Sequence, residues 1–227
     1  MKSFTLGHFR KWAEGLELDN GERWKLEPFQ EAFIEDVFSG KPICWLVIPQ
    51  GNGKTTLVAG LALYHIQHTK FASLVCAAKT RDQTMVLYGQ AAAFVVRSGL
   101  GEFRCQNGSR RILCDKMNSL MQVFASDVGG GDAIIPTFCI IDELHRLRDL
   151  GLYRLWLGKM KKRNAQMIVI STAGEPGGEQ VPRRPQRGVL PRRSRRALDS
   201  AAAARVSARS GSGRRSGETS RPMRSAG

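Results

Sequence analysis

The sequence has no CxxC pair, no lysine beyond Lys162, and no run approaching the ~18 apolar residues of a membrane span. Each absence excludes something. The five cysteines (Cys44, Cys76, Cys105, Cys114, Cys139) are odd in number and lack metal-ligand spacing, which rules against a disulfide framework or a zinc site. Cys44, Cys76 and Cys139 each sit in an apolar run, where a free thiol packs as a small hydrophobe. No signal-type apolar stretch follows Met1-Lys2, so the expected location is cytoplasmic, with no membrane partner. The 227 residues include 35 Lys or Arg and 20 Asp or Glu, a net charge of +15. Residues 181–227 contain 13 Arg, no Lys, and only Asp199 and Glu218, so they carry +11. That leaves 22 basic and 18 acidic residues, or +4, in 1–180. The body is only mildly basic, and its partner cannot be read from total charge.

Two regions of different texture follow. Residues 1–180 alternate short apolar or β-branched runs with amphipathic stretches, the pattern of an α/β sheet with crossover helices. Strands are expected at Ile43–Ile48, Ser73–Ala77, Met121–Ala125, Thr137–Ile141 and Met167–Ser171, and their near-continuous apolar character fits parallel strands buried on both faces. Helices are expected at Pro28–Phe38, Lys54–His68, Arg81–Arg97 and about Leu150–Arg163, the third with a capping box of Thr80 and Gln83. Asn107-Gly108 marks a hairpin turn, so the stretch 103–125 is expected to leave the parallel sheet as an excursion. In 181–227, Arg, Ala, Ser, Gly and Pro supply 37 of 47 residues. Such a composition buries too little apolar surface to offset its ordering entropy, so disorder is expected. Arginine without lysine is what a GC-rich gene read out of frame produces, and a frameshift near Glu179 is expected. An evolved Arg-rich nucleic-acid arm is the rival reading. Translating the other two frames of the same DNA separates them.

The segment Ile48-Pro49-Gln50-Gly51-Asn52-Gly53-Lys54-Thr55-Thr56 follows an expected strand and opens an expected helix. Glycines in that context let backbone N–H groups face a phosphate, with the helix N-terminus adding positive potential. Lys54 then reaches the β- and γ-phosphates, and the Thr55 hydroxyl is placed to ligate Mg²⁺. The strict pattern G-x-x-x-x-G-K-[ST] fails at its first position, which is Ile48. A plain Gly-rich turn into a helix is the competing reading.

Phe138-Cys139-Ile140-Ile141-Asp142-Glu143 sets two carboxylates at the end of an apolar strand. Ligands of open α/β sheets bind beyond the carboxyl ends of strands, so a Mg²⁺–nucleotide would lie there. Asp142 suits the metal, and Glu143 suits the orientation and deprotonation of an attacking water. A helix cap by Asp142 is the bland alternative. Ile168–Gly174 is a further buried strand ending in Ser171 and Thr172, either sensors of a γ-phosphate or an ordinary strand exit. Gln30, in Leu26-Glu27-Pro28-Phe29-Gln30, offers an amide either to an adenine edge or to its own helix end.

In order and wording, LEPFQ (26–30), PQGNGKT (49–55), AAKTRDQ (77–83), NGS (107–109), IIDELH (140–145) and ISTAG (170–174) resemble the ATPase half of the tailed-phage terminase large subunit family. The resemblance covers about 1–180 and implies a P-loop NTPase fold of the RecA-like (ASCE) type, a parallel sheet flanked by helices. It implies ATP and Mg²⁺ as cofactors and double-stranded phage DNA as the moved substrate. A terminase small subunit, a portal or prohead and a homo-oligomeric motor ring are implied as partners. Carried over by position, Gln50, Gly51, Asn52, Gly53, Lys54, Thr55 and Thr56 would bind nucleotide, with Thr55 and Asp142 holding the metal. Glu143 would be the catalytic carboxylate, assisted by Lys54, and Gln30 the adenine contact. Ser171-Thr172-Ala173 resembles the motif coupling hydrolysis to DNA movement. The family's deviant phosphate loop accounts for Ile48, but it usually has a basic residue where this chain has Gln50. Arg81 is either a DNA or nucleotide contact or a solvated charge. Arg104, Arg110 and Arg111 are equal candidates for the arginine that reaches a neighbouring subunit's phosphate. Family members continue into a lid and an RNase H-like nuclease. Residues after Glu179 supply no acidic cluster, so no nuclease activity is expected. The runner-up readings are a helicase-like DNA translocase fragment and an inactive prophage remnant that binds DNA through its Arg tail.

Overall fold

A computed structural model describes residues 4–78, 81–125, 133–143 and 151–172, all within the unit Met1–Val181. The segment 181–227, expected to be disordered and out of frame, lies outside the described residues. Three helices start and stop where their sequences signal. Helix α2 (Pro28–Phe38) has proline in its first turn and a reciprocal Glu27–Gln30 capping box, so two of its orphan amides are satisfied locally. Helices α3 (Lys54–His68) and α4 (Arg81–Arg97) match their expected spans. Thr80, the expected cap of α4, lies outside the described residues. Helix α5 spans Gly151–Arg163. Helix α1 (Leu6–Ala13) was not expected; its N-cap Thr5 accepts from the His8 amide, and Phe9 and Ala13 bury its inner face.

Among the described residues, seven strands form one sheet in the order β1-β7-β6-β2-β5-β4-β3. Strands β1 (Ile43–Val47), β7 (Gln166–Ser171), β6 (Phe138–Asp142), β2 (Ser73–Ala78) and β5 (Ser119–Ala125) run parallel, in the registers Trp45↔Val169, Ile140↔Ile168, Cys76↔Ile140 and Cys76↔Val123. The hairpin β3 (Phe103–Gln106) and β4 (Arg111–Cys114) is no excursion. It extends the same sheet, β4 pairing antiparallel with β5. The reason is alternation: Ile112, Cys114, Met121 and Val123 share one buried face, and pairing β4 to β5 keeps that face continuous.

Each central strand sends alternate side chains to two cores. Phe138, Ile140, Ile168 and Ile170 meet α1–α4 on one face. Cys139, Ile141, Met167 and Val169 meet the buried Trp156 and Met160 of α5 on the other. Every such fully buried aliphatic chain contributes roughly 1.5–3 kcal/mol. Gly60 on α3 admits the indole of Trp24, since a Cβ there would lie 2.4 Å from Trp24 Cζ3. All five cysteines are free, and burial pushes the thiols of Cys44 and Cys139 up to about 11 and about 12. Among the described residues no helix is long and apolar enough to cross a membrane. Because five strands are parallel, the carboxyl ends of β1, β7, β6 and β2 open at one end of the sheet.

Candidate active site

At that end, the chain leaves β1 through Ile48 and Pro49 and turns through Gln50–Gly53 into α3. Gly51 and Gly53 take φ of +84° and +66°, the left-handed region where side chains are disfavoured. Asn52 Nδ2 donates to Pro49 O at 3.2 Å and holds the turn closed. Lys54 is buried, 8% exposed, and its ammonium donates to Ile48 O (3.0 Å), Pro49 O (3.3 Å) and Thr172 Oγ1 (3.1 Å). A desolvated ammonium needs such acceptors. The lysine thus spans from the loop to the end of β7.

Glu143 follows β6 with φ of +50°, held there by its amide donating to Ile170 O at 2.8 Å. Its carboxylate accepts from Thr172 twice, from the amide at 3.0 Å and from the hydroxyl at 2.5 Å. Lys54 Nζ stands 3.8 Å from the same carboxylate. A lysine, a carboxylate and a hydroxyl brought from three segments therefore form one partly buried network. A non-glycine residue at positive φ costs free energy that only such over-determination sustains.

A cavity of about 350 Å³ opens beside this network, lined by Gln50, Gly51, Gly53, Lys54, Thr55, Thr56, Gln83, Val86, Asp142 and Glu143. Most of the residues singled out in the sequence converge here. Asn52 is not on the wall and acts on the loop instead. Gln30 is 4% exposed and also off the wall: its Oε1 accepts from the Glu27 amide at 3.1 Å, and a Cβ at Gly53 would lie 3.5 Å from its Nε2. It braces the helix start, close to Gly53 of the loop. Ser171 is fully buried and its carbonyl accepts from the Ile48 amide. Ala173 lies outside the described residues, and Arg81 opens α4.

The three arginine candidates separate. Arg104 pairs with Asp115 at 2.9 Å. Arg110 donates from Nη1 to Thr84 Oγ1 at 3.2 Å, and Arg111 lies opposite Gln122, the middle residue of β5. Two wall residues were not anticipated, Gln83 and Val86 of α4. Gln83 reads in the sequence as a capping residue. The available signal was its place in the first turn after a parallel strand.

Chemically, the cavity combines a buried ammonium, loop amides and the start of a 15-residue helix, a setting that attracts an anion. Thr55 and Asp142 add hard oxygen donors. Among the described residues no group of three or more His, Cys, Asp or Glu forms a metal site. Two oxygen ligands fit Mg²⁺, which keeps waters and binds largely through substrate phosphates.

Comparison with known proteins agrees with this architecture. Residues 43–183 match the family described as terminase large subunit, ATPase domain. The chain is 25% identical over 163 residues to the terminase large subunit of Enterobacteria phage HK97, covering 67% of this chain and 32% of that protein. It thus spans about a third of this relative's length. The crystal structure of the HK97 large terminase superposes with a TM-score of 0.68 at 21% identity, over 73% of this chain and 37% of that one. The large terminase ATPase domain of Thermus phage P74-26 gives 0.55 at 16% identity over 65% of each chain. The UvsW helicase of bacteriophage T4 shares the fold as well, at 0.54 and 12% identity over 74% of this chain and 61% of that one. With a family match over most of the described body, and a P-loop and paired carboxylates at the carboxyl edge of its sheet, this chain belongs to the terminase large subunit family and carries its ATPase domain.

Proposed function

We propose that this domain hydrolyses ATP and that hydrolysis drives double-stranded phage DNA into a prohead. The observation that carries the reading is the convergence of Lys54 and Glu143, 3.8 Å apart, on the cavity walled by the loop, Thr55 and Asp142. Lys54, Gly51, Gly53, Thr55 and Thr56 bind the phosphates, and Lys54 leaves its loop carbonyls to do so. Thr55 and Asp142 would hold Mg²⁺, which when bound neutralises charge on the phosphates. Glu143 orients a water and accepts its proton as the water oxygen bonds to the γ-phosphorus. The bond to the bridging oxygen breaks, and its electron pair leaves on ADP. Lys54 stabilises the charge that develops.

Family membership supports DNA as the moved substrate, with a small subunit, a portal and a homo-oligomeric ring as partners. Thr172 supports coupling, because it alone touches both Lys54 and Glu143 among the described contacts. The test is Glu143→Gln. Phosphate release should fall by at least ~100-fold while ATP binding persists, the pattern of a lost general base. Undiminished hydrolysis would reject the assignment.

A further inference from the structure

We propose that Gln83 is a further residue of the nucleotide site, its carboxamide orienting the attacking water and the γ-phosphate from the wall formed by α4. The inference rests on the ATPase reading above. Gln83 lines the cavity together with Asp142 and Glu143. Strand order explains why it stands on their side of the cavity. Strand β6, which carries both carboxylates, lies between β7 and β2. Thr172 at the end of β7 flanks Glu143 on one side, and β2 leads into the head of α4 on the other. Gln50, the second carboxamide on the wall, is carried by β1 and is separated from β6 by β7.

The chemistry calls for such a group. The loop amides and Lys54 only donate, and an ionised carboxylate only accepts. An attacking water has two protons, and Glu143 takes one of them. Gln83 Oε1 is enclosed in this structure; rotated into the cavity, a neutral carboxamide accepts from the other through Oε1 while donating through Nε2 to a γ-phosphate oxygen, and it adds no charge to a site that already holds two carboxylates. Gln83 gains and loses no proton in the step. It is a wall residue with a defined place, because α4 is anchored on its other face. Thr84, next in sequence, is fully buried and bonded by Arg110, and Tyr88 Oη donates to Asn107 Oδ1 at 2.7 Å. Leu87, Ala91 and Phe94 complete the buried stripe. Both tethers come from the β3–β4 turn, which gives the Asn107-Gly108-Ser109 motif a role: it fixes the pitch of the helix that presents Gln83.

The experiment compares Gln83→Ala, Gln83→Glu and Glu143→Gln in the full chain. Phosphate release is measured under Mg²⁺, and calorimetric affinity is measured for ADP and for ADP with aluminium fluoride. Gln83→Ala should lower kcat about tenfold or more with KM little changed, and should weaken the aluminium fluoride complex by a similar factor while ADP affinity stays, the signature of a group acting in the transition state. Gln83→Glu keeps the side-chain length but removes the Nε2 donor, so it should not restore turnover. A merely structural role leaves that discrimination unchanged. Wild-type kcat and discrimination in Gln83→Ala, with Glu143→Gln inactive, overturn the role of Gln83 alone. Active Glu143→Gln, or no ADP binding by the wild type, overturns the ATPase reading and this proposal with it.

Discussion

Thr172 holds both oxygens of Glu143, donating its amide to Oε2 at 3.0 Å and its hydroxyl to Oε1 at 2.5 Å. Its hydroxyl oxygen also accepts from Lys54 at 3.1 Å. The carboxylate proposed to activate water is thereby aimed by the strand beside it. Hydrogen bonds to charged groups contribute roughly 1.5–3 kcal/mol, so Thr172→Val should lower kcat by about 10–100-fold. Thr172→Ser should restore most of it. Steady-state phosphate release for the two variants checks this, and equal rates would detach Thr172 from the chemistry.

Gly53 tests the loop. Its φ of +66° costs any L-residue roughly 1–2 kcal/mol, so Gly53→Ala should destabilise by about that much. A Cβ would meet Gln30 Nε2 at an ordinary 3.5 Å, so the cost is conformational and not steric. Denaturant unfolding gives the loss, and nucleotide titration should show weaker phosphate binding as the loop shifts.

Gly60 behaves differently. A Cβ there would lie 2.4 Å and 2.8 Å from two Trp24 ring carbons, and the indole is 3% exposed and stacked on Phe94 at 5.7 Å. With no room to yield, Gly60→Ala should cost about 1–3 kcal/mol through overpacking. Adding Trp24→Leu should make the pair less destabilised than the sum of the singles, measured by denaturant midpoints.

His65 sets a pH dependence remote from the cavity. Its ring packs on Phe138 at 4.8 Å and meets Thr137 Oγ1 at 3.2 Å, and burial lowers its pKa from 6.5 to about 4. The unfolded chain therefore takes up this proton first as pH falls. The contribution is fully present above about pH 6.5 and is lost as pH drops towards 4, on the order of 3 kcal/mol. His65→Gln should flatten the stability curve across that window.

How much of this was legible varies with the range of the interaction. Helices α2, α3 and α4 were readable because their ends are written locally, in Pro28 and Glu27, in Gly53, and in the apolar spacing of α4. Helix α1 escaped because eight residues give too few repeats to show a period. Its formation depends on burying Phe9 against α3 and Trp24. The hairpin's turn was visible, but not its membership of the sheet, since pairing with β5 is a tertiary choice. In the site, the loop and Asp142-Glu143 stood out because the chemistry demands those residue types. The Lys54–Thr172 contact joins positions 118 apart, and the mark on Gln83, its place in the first turn after β2, is one that its neighbours share.

Strand β1 has a mechanical consequence. Among the described residues it pairs with β7 alone, through five residue pairs running parallel to its length, from Ile43↔Met167 to Val47↔Ser171. Tension drawn along β1 from the loop would load these bonds in shear, all at once, instead of peeling them one by one. The strand that receives the load is followed at once by Thr172, which grips Glu143. Strain at the loop and the aim of the carboxylate thus share a single rigid ladder.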